Sequence, residues 1–249
     1  MKKVAIVTGS GSGIGAASAI ELAKRGWHVV VNYSRNAEAA KKVQAQCAGS
    51  ILVRADVSDD AECRRLVQAA LDQWGRVDAL VNNAGTTKFV KHADLDGLSD
   101  EDFLRIYRLN VVGPFQMSRA AAPALKAAKG AIVNVSSIAS LLGTGSSIAY
   151  AASKAALNAM TCSLARVLGP EVRVNAVLPG YVDTPWQHNA LGMERAMKQA
   201  AHYSTLVPLK DYARPEDVAD AVAWLVEGAR QVTGETILVD GGMHIATPR

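Results

Sequence analysis

Seven short apolar runs punctuate the chain: VAIVT at 4–8, HVVVNY at 28–33, ILVRAD at 51–56, DALVNN at 78–83, AIVNVSS at 131–137, VRVNAVLP at 172–179 and TILVD at 236–240. Each is short and nearly continuous, as a strand buried on both faces should be. Longer amphipathic stretches separate them. These predict helices from about Ile14 to Arg25, over NAEAAKKVQAQC, and over AECRRLVQAALDQW with Asp59 as its start. Further helices are predicted from Ser99 to about Ala128, over 149–168, and from Pro215 to about Glu227. Buried strands alternating with helices predict a parallel sheet covered on both sides. Right-handed crossovers then give a doubly wound, Rossmann-like α/β fold of about seven strands. Residues 1–249 read as one domain, and the Pro/Gly-punctuated segment 180–213 reads as a substrate lid with two amphipathic pieces.

Composition narrows the function classes. With 49% hydrophobic and 20% charged residues among 249, the chain has the makeup of a globular protein. Its net charge of +4 is scattered, without a run of five like charges, so composition gives nucleic-acid binding no support. A mild basic excess does suit a phosphate-rich small ligand. The three cysteines, Cys47, Cys63 and Cys162, form no CxxC, which argues against a disulfide framework or a zinc site and fits a reducing cytoplasm. The five histidines lie far apart, so no metal is expected. The opening MKKVAIVTGSGSG is too short in its apolar part for a signal peptide, and no window of eighteen apolar residues predicts a membrane span.

The candidate chemistry begins where the first run ends. Thr8-Gly9-x-x-x-Gly13-x-Gly15, with Ser12 and Ile14 inside it, leaves a strand and opens a helix. Glycines there let backbone N–H groups approach a pyrophosphate at the helix N-terminus. The second strand ends Asn32-Tyr33-Ser34-Arg35, without the carboxylate that would bind a free ribose 2′-hydroxyl. Arg35 suits a 2′-phosphate, so NADP(H) is favoured over NAD(H). Farther on, YAASK places Tyr150 and Lys154 four residues apart, on one face of a helix.

TGSGSGIG, ADV at 55–57, NNAG at 82–85, Asn110 in RLNVVG, Ser137 in NVSSIAS, YAASK, LPGYVDT and the final VDGG occur in order. Together they resemble the short-chain dehydrogenase/reductase family in its compact single-domain form, over essentially the whole chain. The resemblance implies a catalytic set of Ser137, Tyr150 and Lys154 with a supporting Asn110. Ser136 is the alternative by residue type, but the thirteen-residue gap from Ser137 to Tyr150 matches the family better. A free phenol with a pKa near ~10 is a poor base at neutral pH, and a neighbouring ammonium favours its phenolate. Ser137 would hydrogen-bond the substrate oxygen where charge develops. By the same resemblance Lys154 also holds the nicotinamide ribose, and Asn110 distorts its helix and links Lys154 to solvent through water.

The other implied cofactor contacts are Asp56 and Val57 along the adenine, Asn83, Ala84 and Gly85 toward the ribose and nicotinamide, and Pro179, Gly180, Val182 and Thr184 at the carboxamide. Substrate walls are expected from Thr86–Ala93, Ile138–Ser147 and the 180–213 segment, which carries Trp186, His188, Leu191, Met193, Met197 and Tyr203. The pattern looks most like 3-oxoacyl-thioester reductases and general carbonyl reductases. It departs from them at Ala128 and Glu171, where carrier-linked members place basic residues, and at Ser12, where NADP-dependent members carry one. The reading is hydride exchange between NADP(H) and a ketone or secondary alcohol, with 3-oxoacyl thioesters among the candidate substrates. Its rivals are an NAD-dependent dehydrogenase of a sugar or hydroxy acid and a non-catalytic dinucleotide sensor. Resemblance also implies a homotetramer built on the helix at 149–168 and the last strand.

Overall fold

In the computed structural model, which describes residues 2–246, all seven apolar runs become parallel strands of a single sheet. They are β1 (Val4–Val7), β2 (His28–Tyr33), β3 (Ile51–Arg54), β4 (Ala79–Asn82), β5 (Ala131–Val135), β6 (Arg173–Pro179) and β7 (Thr236–Val239), in the order β3-β2-β1-β4-β5-β6-β7. Strand order reverses beside β1, where β4 pairs on the side opposite β2. A crevice opens at such a reversal, outside the carboxyl ends of the strands.

Helices cover both faces. On one side lie α1 (Gly13–Lys24), α2 (Ala37–Gln44) and α10 (Pro215–Glu227), whose Leu22, Val43, Val218 and Val222 pack on Val7, Val29 and Val31. On the other lie α3 (Asp60–Trp74), α5 (Gly113–Ala128) and α7 (Ile148–Leu168), with Leu66, Leu125 and Leu164 against Ile6, Leu80 and Ile132. Local chemistry sets the helix ends. Asp59 accepts from Ala61 N and Glu62 N at 2.8 and 3.1 Å, and Gly75 closes α3 in the left-handed conformation. Ser99 and Asp102 form a reciprocal capping box that starts α4 (Asp100–Tyr107).

Three details depart from the sequence expectations. The long helix foreseen over 99–128 is α4, then one π-helical turn at Arg108–Val112, then α5. β5 ends at Val135, so Ser136 and Ser137 fall in the loop beyond it. Two short elements, α6 (Ala139–Leu142) and a 3₁₀ turn at Met243–Ile245, are too brief for apolar periodicity to reveal. The two amphipathic pieces of 180–213 are α8 (Pro185–Leu191) and α9 (Met193–Leu206). Among the described residues no helix is long and apolar enough to cross a membrane, and no cluster of His, Cys, Asp and Glu could hold a metal ion. All three cysteines are free thiols.

Candidate active site

A cleft of about 1300 Å³ opens at the carboxyl ends of the strands. One end is formed by Gly9, Ser12, Gly13 and Ile14 from the first loop and the start of α1, with Ser34, Arg35, Asp56 and Val57 beside them. Asn83, Ala84 and Gly85 follow β4 along the middle. Ser137, Tyr150 and Lys154 stand on one wall, and Pro179, Gly180, Val182 and Thr184 on another.

Hydrogen bonds hold the glycine loop in place. Asn32 accepts from Gly9 N at 2.9 Å and donates to Ala55 O at 3.1 Å, so it ties the loop to the end of β3. Thr8 Oγ1 accepts from Asn83 N and Ala84 N at 2.9 and 3.0 Å, and Asn83 Nδ2 donates back to Thr8 O at 2.9 Å. Asn32 was absent from the expected contacts, since its role depends on where β3 ends. Two residues foreseen as cofactor contacts lie outside the lining. Gly15 packs against Asn83, and a Cβ there would run into the Asn83 amide. Tyr33 points to the opposite face from Asn32 and packs on the β2 side of the core.

The phosphate end fits an anion. Ser12 caps α1 without a side-chain hydrogen bond, and no acidic residue occupies the first turn. First-turn N–H groups of a helix lack intrahelical partners and attract negative charge. The exposed Arg35 adds a guanidinium at the same end. With a glycine-lined cradle and these donors, the residues fit a dinucleotide.

At the other end, α7 starts on Ser147, whose Oγ accepts from Tyr150 N at 3.3 Å. Tyr150 and Lys154 are both buried. Lys154 Nζ donates to Val135 O at 2.8 Å and lies 5.7 Å from the centre of the Tyr150 ring. Burial pushes the ammonium down to about 8. Burial pushes the phenol up to about 12, while the Ser137 hydroxyl pulls it the other way. The neighbouring serine does a different job: Ser136 Oγ donates to Lys154 O at 3.2 Å. Geometry thus separates the two serines that residue type alone leaves equivalent. Gly145, at φ +107, lays its backbone against Tyr150, where a Cβ would sit 3.7 Å from the ring.

Asn110 occupies the middle of the π-helical turn, fully buried. Its Oδ1 accepts from Thr86 N at 2.8 Å, and its Nδ2 donates to Thr86 O and Ser153 Oγ, both at 3.0 Å. Ser153 Oγ in turn donates to Tyr150 O at 2.7 Å. Asn110 therefore clamps the loop after β4 to α7 from behind the cleft. Only Gly85 stands between it and Lys154: a Cβ there would lie 3.3 Å from Asn110 Oδ1 and 3.7 Å from Lys154 Nζ.

Residues of the 180–213 segment line the cleft alongside Tyr150. Tyr203 Oη donates to Asp240 O and Tyr181 Oη to Ala196 O, both at 2.9 Å. Of the six side chains singled out there, Trp186, Leu191 and Tyr203 line the cleft. His188 instead pairs with Asp183 at 2.6 Å, and Met193 and Met197 are exposed on α9. Arg195 and Gln199 also line the cleft, and no sequence signal marked them.

Comparison with known proteins agrees with this arrangement. The family model described as "Enoyl-(Acyl carrier protein) reductase" matches residues 9–244. A Streptomyces violaceoruber protein named as ketoacyl reductase 2 of the granaticin polyketide synthase is 47% identical, over 97% of this chain and 96% of its own. A short-chain dehydrogenase/reductase from Burkholderia xenovorans superposes with a TM-score of 0.92 at 40% identity, covering 98% of this chain and 99% of that one. Ligand-free aldohexose dehydrogenase from Thermoplasma acidophilum does so at 0.89 and 30% identity, over 100% of this chain and 96% of that one. Fold, cleft and relatives converge: the chain belongs to the short-chain dehydrogenase/reductase family of NAD(P)-dependent oxidoreductases.

Proposed function

We propose that the protein exchanges hydride between NADP(H) and a ketone or secondary alcohol, with 3-oxoacyl thioesters among its substrates. The observation that carries this reading is the buried Tyr150–Lys154 pair beside Ser137, at the far end of a cleft whose other end suits a dinucleotide phosphate. The bound nicotinamide supplies the hydride in reduction and accepts it in oxidation. Tyr150 gives its proton to the carbonyl oxygen in reduction and takes it back from the alcohol in oxidation. The Ser137 hydroxyl donates to the same oxygen as negative charge develops. Lys154, charged, stabilises the phenolate that Tyr150 becomes. Asn110 holds the loop after β4 against α7, which keeps the reacting groups in register.

NADP(H) is the preferred cofactor on this reading, because Arg35 stands at the phosphate end where residues 32–35 offer no carboxylate. α8 and α9 act as a lid that excludes water on substrate binding. The active form is a cytoplasmic homotetramer.

The test joins two titrations with one substitution. NADPH should bind more tightly than NADH in nicotinamide fluorescence, with the difference shrinking as salt rises and in Arg35→Ala. Tyr150→Phe should keep NADPH binding and lose turnover of ethyl 3-oxobutanoate by about 10²- to 10⁴-fold. Unchanged turnover in Tyr150→Phe would sink the proton-transfer assignment. The aldohexose dehydrogenase neighbour favours a second reading, oxidation of a sugar. Tighter NADH binding together with D-glucose oxidation would select it.

A further inference from the structure

The cleft carries an aromatic arrangement at its substrate end that hydride transfer does not require. Three rings converge there from separate segments: Phe89 from the loop after β4, Tyr150 from α7 and Trp186 from the first turn of α8. The Trp186 ring centre is 5.9 Å from that of Tyr150 and 6.2 Å from that of Phe89. Its plane is inclined 55° to the phenol and 65° to the Phe89 ring. Both neighbours meet the indole at a steep angle rather than stacked on it, so they cover only part of its surface. Trp186 is 41% exposed inside a cleft, a large apolar surface left for something to cover.

The wall opposite the lid is fixed. Val90 N donates to Ser146 O at 2.8 Å, and the Thr87 and Ser146 hydroxyls are 2.7 Å apart. These bonds tie the loop bearing Phe89 to the loop that precedes α7, so Phe89 stays in place as the cleft fills. Val90, Leu142 and Leu191 line the same end.

Resting on the oxidoreductase reading, we infer that this end of the cleft selects ketones whose carbonyl-bearing ring is fused to a planar aromatic ring, which lies on the uncovered surface of Trp186. The carbonyl oxygen then faces Tyr150 and Ser137, and the ring meets the indole in the offset or edge-to-face geometry that aromatic pairs prefer. A saturated ring of the same size fills the volume without those contacts. Each aromatic pair gained favours the planar substrate by about two- to tenfold.

The test compares 2-tetralone with 2-decalone, two bicyclic ketones of similar size of which only the first contains an aromatic ring. Wild-type protein with NADPH should show a higher kcat/KM for 2-tetralone, by about fivefold or more and chiefly through KM. Trp186→Leu should bring the ratio of the two within about twofold, and Trp186→Phe should restore most of it. Thermal melting of both variants checks that they fold, and Trp186→Phe keeps the comparison open if Trp186→Leu does not. Calorimetric titration with 2-naphthol and decahydro-2-naphthol reads the same preference without turnover. Stronger binding of 2-naphthol, weakened in Trp186→Leu and largely kept in Trp186→Phe, supports the slot even if neither ketone is reduced, which would count against the oxidoreductase reading instead. Equal kcat/KM for the two ketones in the wild type, or a preference that survives Trp186→Leu, overturns the inference and leaves hydride transfer standing.

Discussion

At the scale of single residues, the site works through two burial effects of opposite consequence. Lys154 is held near 8, so its ammonium is present below that pH and lost above it. Tyr150 is held near 12 and stays protonated throughout the neutral range. On the proposed mechanism reduction needs the protonated phenol and the charged ammonium together, so its rate should be flat through neutrality. Above pH about 8 it should fall, approaching about tenfold per unit as Lys154 neutralises. A pH profile of kcat for ketone reduction checks this; a rate that climbs steadily to pH 10 would rule out a required Lys154 charge. Much of the candidate site is legible in the sequence, because the ordered motifs resemble those of a known family and so single out Tyr150, Lys154 and Ser137. Gly15 and Tyr33 stand outside the cleft lining for physical reasons. A motif glycine can serve packing instead of ligand approach, and neighbouring strand residues face opposite sides of a sheet. Asn32, which pins the glycine loop, carries no signal because its partners, Gly9 and Ala55, are more than twenty residues away along the chain.

At the scale of elements, the seven strands and most helices follow from apolar periodicity, with ends that move by up to three residues. The ends matter, since β5 stops early enough to leave Ser137 in a loop facing Tyr150. The proposed lid is legible as two amphipathic pieces, but not the Tyr203–Asp240 latch that holds it. Gly180 makes that latch possible: a Cβ there would run into the Tyr203 hydroxyl and lie 2.9 Å from Asp240 Cα. Gly180→Ala should therefore break the Tyr203–Asp240 bond, lower stability by about 1–3 kcal/mol and raise KM for the carbonyl substrate more than it lowers kcat. Thermal melting with steady-state kinetics tests this. Wild-type values for both would mean the latch has no bearing on closure.

At the scale of the whole molecule, apolar groups remain on the outer surface of the α4–α5 rod and of α7. Leu104 is 69% exposed and Val167 66%, with Val112 and Phe115 also uncovered. Self-association would bury such groups, and a homotetramer should appear in light scattering as a species of four chain masses. A monomer at micromolar concentration would contradict that assembly. Fold class was readable at this scale because alternating buried strands and helices admit few topologies, whereas assembly leaves no comparable periodic trace.

The π-helical turn at Arg108–Val112 reaches across all three scales. A π turn amounts to one residue added to an α-helix, and each residue advances the helix by about 100°. The rod from Asp100 to Val112 and on to Ala128 is thus two helices joined out of phase. Its first part turns toward α7 and its second toward α3, and Asn110 sits at the slip between them. What sets the position of Asn110 is a count of residues as much as their identity. Exchanging side chains along the rod leaves that count intact. Losing a single residue from it would rotate one half against the other and carry Asn110 out of reach of Thr86 and Ser153, even with each remaining side chain unchanged.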